Sequence, residues 1–225
     1  MKFNKLGYDV KRKVIDPQIA KLCVEYLLLK RTAASHLYNE RYLLPETAFY
    51  GTWKDGQVPG AWSNYGDILM EVLLERIKPK MEKWTGLKLL ETYAYTRLYN
   101  YGDVLHRHKD RPECEISTTL NLGGDPWPIF IETDKTIGGF KDGENGRYYE
   151  SQNTKGVRVN LKPGDMLLYK GADLEHWREE FKGEMCAQVF LHYIEDTESN
   201  RKMHLDKRPS KGLPKYFPTK PWLKR

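Results

Sequence analysis

The chain has 225 residues, of which 40% are hydrophobic and 30% are charged. These proportions are typical of a soluble globular domain that is large enough to bury a hydrophobic core. No apolar run approaches the about 20 residues that span a bilayer, and the start of the chain lacks the apolar stretch of a secretory signal. Its three cysteines are widely spaced, which argues against a disulfide framework. We therefore expect a cytoplasmic protein without membrane contact.

The net charge of +6 is unevenly distributed along the chain. Residues 201–225 hold nine Lys or Arg and one acidic residue, which leaves residues 1–200 with a charge of −2. Nucleic acid is therefore not an expected partner, although the basic tail could contact an acidic one. The tail has too few apolar residues in a regular pattern to form a core. We expect a single domain over 1–200 and a tail over 201–225 that is extended on the surface or mobile and adds little to folding.

Two helices are predicted in the N-terminal part of the chain. Asp16-Pro17 is typical of a capped helix start, and Asp67 could cap the second helix. Pro79 interrupts the second pattern, which ends at Gly86. Their expected buried faces are formed by Ile19, Leu22, Cys23, Tyr26 and Leu27 in the first helix and by Ile68, Leu69, Val72, Leu73 and Ile77 in the second.

After Gly86 the hydrophobic period changes from 3.6 to 2, which indicates strands. The first runs through Tyr93 and Tyr99, and further short strands are predicted at 115–122, 127–132, 157–161, 166–169 and 186–194. Helices followed by many short strands favour a mainly β fold with N-terminal helices, in which a sandwich or barrel is packed by helices on one face. The helical part would span about 1–86 and the β core about 87–196.

A possible metal site lies in the stretch VLHRHKDRPECEISTTLNL. His106, His108 and Asp110 alternate, so they would share one face of an extended segment. His176 follows 68 residues after His108, next to another predicted strand. Two His and one carboxylate on adjoining strands form the facial triad of non-haem Fe(II) oxygenases, which leaves coordination positions open.

Four segments, in this order, give the sequence a specific resemblance: TYAYTRLYNYGDVLHRHKDR, CEISTTLNLGG, VNLKPGDMLLYKG and HWREEFKGEMCAQVFLHY. Together they resemble the Fe(II)/2-oxoglutarate-dependent dioxygenases, in particular the prolyl-4-hydroxylase-like branch. The resemblance spans about 87–193 and implies a double-stranded β-helix, the jelly roll or cupin-like barrel. It also implies that His108, Asp110 and His176 hold Fe(II).

The same resemblance implies a reaction. 2-Oxoglutarate and O2 would be co-substrates, with ascorbate as a supporting reductant, and decarboxylation would give succinate. The expected outcome is hydroxylation of a C–H bond in a small-molecule or peptide substrate, such as a prolyl residue or an amino-acid-like compound.

The resemblance further implies residues that contact 2-oxoglutarate, namely Tyr99 and Thr119. One position departs from the family pattern, because Met185 stands where an Arg or Lys usually binds the distal carboxylate. A carboxylate in a closed pocket needs a cationic partner. We expect Arg178 to replace the missing cation, since it follows His176 by two residues, with Arg97 as second candidate and Lys182 as third.

Two alternatives remain open on the sequence. His106, His108, Glu113 and His176 together also resemble a cupin metal motif on a related barrel. The second alternative is not an enzyme but a non-catalytic jelly-roll binding module.

The Gly-rich segments 44–66 and 133–156 are long enough to be active-site lids.

Overall fold

The computed structural model describes residues 2–42, 48–143 and 146–215. Its helices are α1 (Lys2–Leu6), α2 (Pro17–Asn39) and α3 (Ile68–Thr85). Its strands are β1 (Tyr8–Lys11), β2 (Trp62–Tyr65), β3 (Leu89–Asn100), β4 (Leu105–His108), β5 (Ile116–Gly124), β6 (Ile129–Ile131), β7 (Gly139–Gly143), β8 (Gly146–Glu150), β9 (Val157–Val159), β10 (Met166–Lys170), β11 (His176–Arg178) and β12 (Met185–Glu195). Short 3₁₀ helices cover Ala48–Tyr50, Pro112–Cys114 and Arg201–Lys207.

Two antiparallel sheets form the β core. The larger has the strand order β1-β10-β5-β12-β3-β2, and the smaller has the order β4-β11-β6-β9. Apolar side chains of both sheets meet in shared clusters, for example Tyr169 with Ile131 and Phe190 with Leu105. The fold is therefore the predicted jelly roll, mainly β with N-terminal helices. Strands β7 and β8 form a separate hairpin.

Helices α2 and α3 pack on the outer face of the larger sheet, as predicted. Their buried residues share one hydrophobic cluster with β3, β5 and β12. The predicted buried faces were partly wrong, since four of the expected residues are exposed: Ile19, Leu22, Ile68 and Val72. The helices are rotated so that other side chains reach the sheet instead, among them Ala20, Met70, Leu74 and Met81.

The helix ends follow the sequence signals. The Asp16 carboxylate accepts a hydrogen bond from the Gln18 amide at 2.7 Å, and the Asp67 carboxylate accepts one from the Met70 amide at 3.1 Å. Gly86 ends α3 in the left-handed conformation, with φ of 76°. Pro79, however, does not interrupt α3, which continues to Thr85. Its neighbours Ile77 and Met81 are both buried in the sheet–helix core, and this packing offsets the hydrogen bond that proline cannot donate.

The first half of the basic tail differs from the expectation. Asp206 and Arg208 are both buried. The Arg208 guanidinium donates to the Glu71 carboxylate at 2.5 Å and to the Thr92 carbonyl at 2.9 Å. Residues 201–215 are therefore fixed to the domain by buried ion pairs, which composition alone could not indicate. The rest of the tail, 216–225, lies outside the described residues.

No helix in the described parts of the chain combines the length and the apolarity that crossing a membrane requires.

Candidate metal centre and cavity

The structure brings His108, Asp110 and His176 together at one end of the jelly roll. His108 ends β4, His176 begins β11, and the two are direct partners in that antiparallel pair. Asp110 follows β4 by two residues. Nε2 of His108 and Nε2 of His176 each lie 3.6 Å from Oδ1 of Asp110. The three side chains offer ligand atoms that all lie within 4.8 Å of one another, close enough to surround one ion.

Backbone carbonyl groups orient both imidazoles. Nδ1 of His108 lies 2.7 Å from the His106 carbonyl oxygen, and Nδ1 of His176 lies 3.0 Å from that of Leu174. A proton on Nδ1 satisfies each of these contacts and leaves the lone pair of Nε2 directed toward the space beside Oδ1 of Asp110, where it could bind a metal ion. Metal-binding histidines are commonly oriented in this way by a partner on the second nitrogen.

The protonation states also suit a metal ligand set. Burial, followed by the nearby His176, lowers the pKa of His108 to about 4, so that its imidazole is neutral at pH 7. Burial alone would raise the pKa of Asp110, but its interactions with the neighbouring His176 and His108 imidazoles hold that pKa well below its usual value. A neutral imidazole and an ionised carboxylate are the forms that bind a metal ion.

Asp110 is supported on its other side by β5 and β12. The Ser117 hydroxyl donates to Oδ2 of Asp110 at 2.7 Å, and Nδ1 of His192 lies 2.9 Å from the same hydroxyl. The Asp110 amide donates to the Gly171 carbonyl at 2.9 Å. A Cβ atom added to Gly171 would collide with the Asp110 and Ser117 side chains, so the carboxylate position requires glycine there.

The expected common face of His106, His108 and Asp110 was wrong for His106. The β4–β11 register pairs His176 with His108 but Arg178 with Leu105, which places an extra residue in β4. Such a bulge breaks the alternation of side chains. The His106 side chain is exposed, whereas His108 faces the site.

The cupin ligand set is not assembled among the described residues. His106 and Glu113 belong to neither group of side chains that could share an ion. The Glu113 carboxylate instead pairs with Arg111 at 3.1 Å. This geometry favours the set of His108, Asp110 and His176.

A cavity of about 890 Å³ opens directly beside the three candidate ligands. Its walls include Tyr169 and Phe190 from the larger sheet. Both segments that were predicted as lids contribute side chains to its lining. Asp55 and Gln57 come from the first segment, and Phe140, Arg147 and Tyr149 come from the β7–β8 hairpin in the second. Residues 43–47 of the first segment lie outside the described residues.

Arg178 is a buried cation without an acidic partner among the described residues. It is only 1% exposed, and burial lowers its pKa. Nη1 donates to the Trp127 carbonyl at 2.6 Å and Nη2 to the Thr119 hydroxyl at 3.2 Å, while Nε has no hydrogen-bond partner. Buried charges are normally paired, so this site has the capacity for an anion.

Arg97 is also buried, but its charge is already balanced by Asp55. Its Nε donates to Oδ2 of Asp55 at 2.6 Å and its Nη2 to Oδ1 at 3.1 Å. Nη1 also donates to the Tyr99 hydroxyl at 3.4 Å. Arg97 lines the open cavity, whereas Arg178, Thr119 and Tyr99 do not. The two arginines therefore differ in both charge balance and access.

Two further positions considered for the missing cation, Lys182 and Met185, have side chains that lie away from the candidate site. Lys182 is a surface residue whose ammonium group lies 2.6 Å from Glu180 and cannot serve a buried anion. Met185 packs against the helix-side cluster. Its neighbour Cys186 lies in the cluster between the sheets, with Tyr99. The departure from the family pattern at Met185 thus falls on a side chain that points away from the site.

Sequence reasoning missed several residues that support the site. Gln188 accepts from the Thr119 hydroxyl at 3.0 Å, and Asp55 balances Arg97. Ser117 and Gly171 hold Asp110. The alternation of β12 could have indicated Gln188, but no local pattern could have paired Asp55 with Arg97, which is 42 residues away.

Comparison with known proteins gives fold relatives only. No protein-family model matches the chain, and no curated protein matches it. Among solved structures, a Pseudomonas putida prolyl-4-hydroxylase matches with 11% identity and a TM-score of 0.54, over 87% of this chain and 96% of that one. HygX from Streptomyces hygroscopicus, solved with nickel and 2-oxoglutarate, matches with 15% identity and a TM-score of 0.59, over 87% and 85%.

A third match is the epimerase SnoN from nogalamycin biosynthesis, solved with Fe3+, α-ketoglutarate and nogalamycin RO. It has 16% identity and a TM-score of 0.61, over 87% of this chain and 81% of that one. The chain therefore has the fold of the 2-oxoglutarate-dependent iron oxygenases. At these identities the likeness defines the architecture, and the chemistry has to be argued from the site itself.

Proposed function

We propose that the protein is an Fe(II)/2-oxoglutarate-dependent dioxygenase that hydroxylates a C–H bond. The observation that carries this proposal is the position of the two Nε2 atoms, of His108 and His176, each 3.6 Å from Oδ1 of Asp110. The fold, shared with enzymes solved with iron or nickel and 2-oxoglutarate, supports it.

The donor set fits iron. Two imidazoles and one carboxylate on one side of an ion form the facial arrangement of non-haem Fe(II) sites, which leaves the other side open. His108, Asp110 and His176 would hold the ion, and Ser117 would fix the carboxylate through Oδ2. When bound, Fe(II) would supply the activation of O2, with 2-oxoglutarate converted to succinate and CO2.

Arg178 is the proposed partner of the distal carboxylate of 2-oxoglutarate. Its guanidinium is buried without an acidic partner in the described chain, and its Nε makes no hydrogen bond. Thr119, which accepts from Arg178, would lie beside the same carboxylate. Arg97 is the weaker candidate because Asp55 already neutralises it, although it has direct access to the cavity.

A binding experiment tests this assignment without requiring the natural substrate. Ni(II) serves as a redox-stable substitute for Fe(II), and calorimetry measures 2-oxoglutarate binding with and without it. We expect one metal ion per chain and 2-oxoglutarate binding that requires the metal, because the keto-acid end of 2-oxoglutarate would bind to the ion. If the folded protein does not bind Ni(II) when one equivalent is added, the result would favour a non-catalytic jelly-roll binding module instead.

The type of oxidation is tested separately. The Fe(II) enzyme is incubated with 2-oxoglutarate, O2 and ascorbate and a collection of prolyl peptides, amino acids and other small acids, and products are analysed by mass spectrometry. If the reaction is a hydroxylation, the substrate gains one oxygen atom, and one molecule of succinate is formed for each molecule of product. A product of unchanged or lower mass, formed with succinate, would assign a different oxidation to the same centre.

A further inference from the structure

The cavity has room for a molecule beyond 2-oxoglutarate. Its volume of about 890 Å³ lies near the upper end of typical small-molecule sites, which span about 300–1,000 Å³. The β7–β8 hairpin forms part of its wall through Phe140, Arg147 and Tyr149, and the exposure of Phe140 and Arg147 places this wall on the solvent side of the cavity. This outer part of the cavity is where a substrate would enter, if the proposed function is correct.

Positive charge exceeds negative charge in the cavity lining. The lining includes five Lys or Arg side chains, namely Arg97, Lys109, Arg111, Arg147 and Lys215, and the two carboxylates of Asp55 and Asp110. Asp55 is committed to Arg97, and Asp110 faces the candidate metal centre. Arg111 is balanced by Asp206, which accepts at 2.8 Å and 2.6 Å from its two Nη atoms.

Two of these cations, Lys109 and Arg147, form no salt bridge with any of the described residues. The Lys109 ammonium group donates to the Lys135 carbonyl at 2.8 Å, and the carboxylates of Glu175, Asp173 and Asp134 act on its charge without a direct contact. The Arg147 guanidinium lies 4.6 Å above the Phe140 ring. Both therefore offer charge and hydrogen bonds to a ligand in the outer cavity. An approaching cation would instead be repelled.

We propose that the substrate is a small organic acid whose carboxylate or phosphate is bound by Lys109 and Arg147. Phe140 is more than half exposed, so its ring offers an apolar surface beside Arg147 for the rest of the substrate. That the bound acid is a substrate rests on the proposed function. That the cavity binds an anion rests only on the residues that line it.

The test uses four probes that share one aromatic ring and differ in charge: phenylacetate, phenyl phosphate, benzyl alcohol and benzylamine. Affinities are measured by ligand-observed NMR in the presence of saturating 2-oxoglutarate, with Mn(II) in place of Fe(II). Paramagnetic relaxation of the probe protons reports whether the probe lies near the metal. We expect the two anions to bind about tenfold more tightly than the alcohol, as one charge-assisted hydrogen bond allows, and benzylamine to bind most weakly. The stronger of the two anions indicates whether carboxylate or phosphate is preferred.

Variants assign the effect to the two side chains. Lys109→Gln and Arg147→Gln should each weaken the binding of the anionic probes by several-fold and leave the affinity for benzyl alcohol unchanged. Lys141→Gln is the matched control, because Lys141 lies in the same hairpin but is exposed and does not line the cavity. Mn(II) affinity is measured for Lys109→Gln, since this residue lies between two candidate ligands. Equal binding of all four probes, or anion affinities unchanged in both variants, would overturn the proposal.

The outcome is separable from that of the proposed function. If the protein binds neither Mn(II) nor 2-oxoglutarate, the relaxation effect is lost and the proposed dioxygenase fails. The order of the four affinities, and its dependence on Lys109 and Arg147, would still decide whether the cavity selects an acid.

Discussion

His108 and His176 are cross-strand partners, and the Nδ1 atom of each contacts the carbonyl oxygen of the residue two positions earlier in the chain. The same local contact therefore orients both imidazoles, and the strand pair fixes the distance between them, with ring centroids 4.2 Å apart. Preorganisation of this kind lets an ion bind without rearrangement of its ligands.

The first prediction concerns the buried Arg178 guanidinium, which contacts no carboxylate in the described part of the chain. Arg178→Met should weaken 2-oxoglutarate binding by about 10- to 100-fold, because a buried charge-assisted pair contributes about 1.5–3 kcal/mol. Ni(II) affinity should be unchanged. Arg178→Lys should restore part of the binding, since lysine cannot make a forked contact. Calorimetry with the Ni(II) protein measures all three.

Arg97 provides the comparison for that experiment. Arg97→Met leaves the buried Asp55 carboxylate unpaired, so we expect lower thermal stability as its main effect. If Arg97→Met abolishes 2-oxoglutarate binding in a folded protein while Arg178→Met leaves it unchanged, the distal carboxylate binds to Arg97 instead.

The second prediction concerns the docked C-terminal segment. Arg208→Met leaves the buried Glu71 carboxylate without its partner, and breaking a buried pair in this way costs about 3–5 kcal/mol. Arg201→Gln is the control, because the exposed Arg201–Asp196 pair should contribute only about 0–1 kcal/mol. Urea denaturation measures both free energies of unfolding. Equal, small effects would mean that the segment does not stabilise the domain.

The third prediction concerns Gly171, which supports the metal centre but is not itself a candidate metal-binding residue. Gly171→Ala would force Asp110 and Ser117 apart, so metal affinity should fall by at least about tenfold. Gly56→Ala is the matched control, since a Cβ atom there meets nothing within 4 Å. Both are measured by Ni(II) titration. Normal metal affinity in Gly171→Ala would show that the carboxylate position tolerates movement.

The pH dependence of stability follows from two neutral histidines, the buried His192 and the mostly buried His108. Burial lowers the pKa of His108 and of His192 to about 4, against an ordinary value of about 6.5. Between these values the unfolded chain takes up protons that the folded protein does not, so stability is lost as the pH falls. Asp110 keeps its stabilising charge throughout this window, because its pKa lies lower still.

For the metal-free protein we expect a loss of about 2 kcal/mol per histidine between pH 7 and pH 5. His192→Gln should remove about half of that dependence. Urea denaturation at the two pH values, after treatment with a chelator, provides the measurement. A free energy of unfolding that does not change with pH would contradict the lowered pKa values of these two imidazoles.

The sequence predicted the elements of the fold better than their contacts. Short strands and helix caps depend on neighbouring residues, so Asp16, Asp67 and the strand at Met166–Lys170 could be predicted from local patterns. The continuation of α3 through Pro79 could not, because packing on the sheet decides it. Neither could the burial of Arg208, whose partner Glu71 is 137 residues away.

The same division holds at the candidate site. The residue types and order of His108, Asp110 and His176 are characteristic, so the sequence indicated that they share a site, and the structure brings them together. The exclusion of His106 depends on a bulge in β4, which alternation alone does not indicate. The choice between Arg178 and Arg97 depended on Asp55, whose approach to Arg97 is a tertiary contact.

The most direct test of the central claim is Fe(II)-dependent conversion of 2-oxoglutarate to succinate, measured with ascorbate and without added substrate. Slow uncoupled turnover is expected for the wild-type protein and for His106→Ala, whose side chain lies outside the site. Asp110→Ala should abolish it, because the ion loses its only carboxylate ligand among the three. Turnover that persists in Asp110→Ala, or is lost instead in His106→Ala, would contradict the assignment of the metal centre.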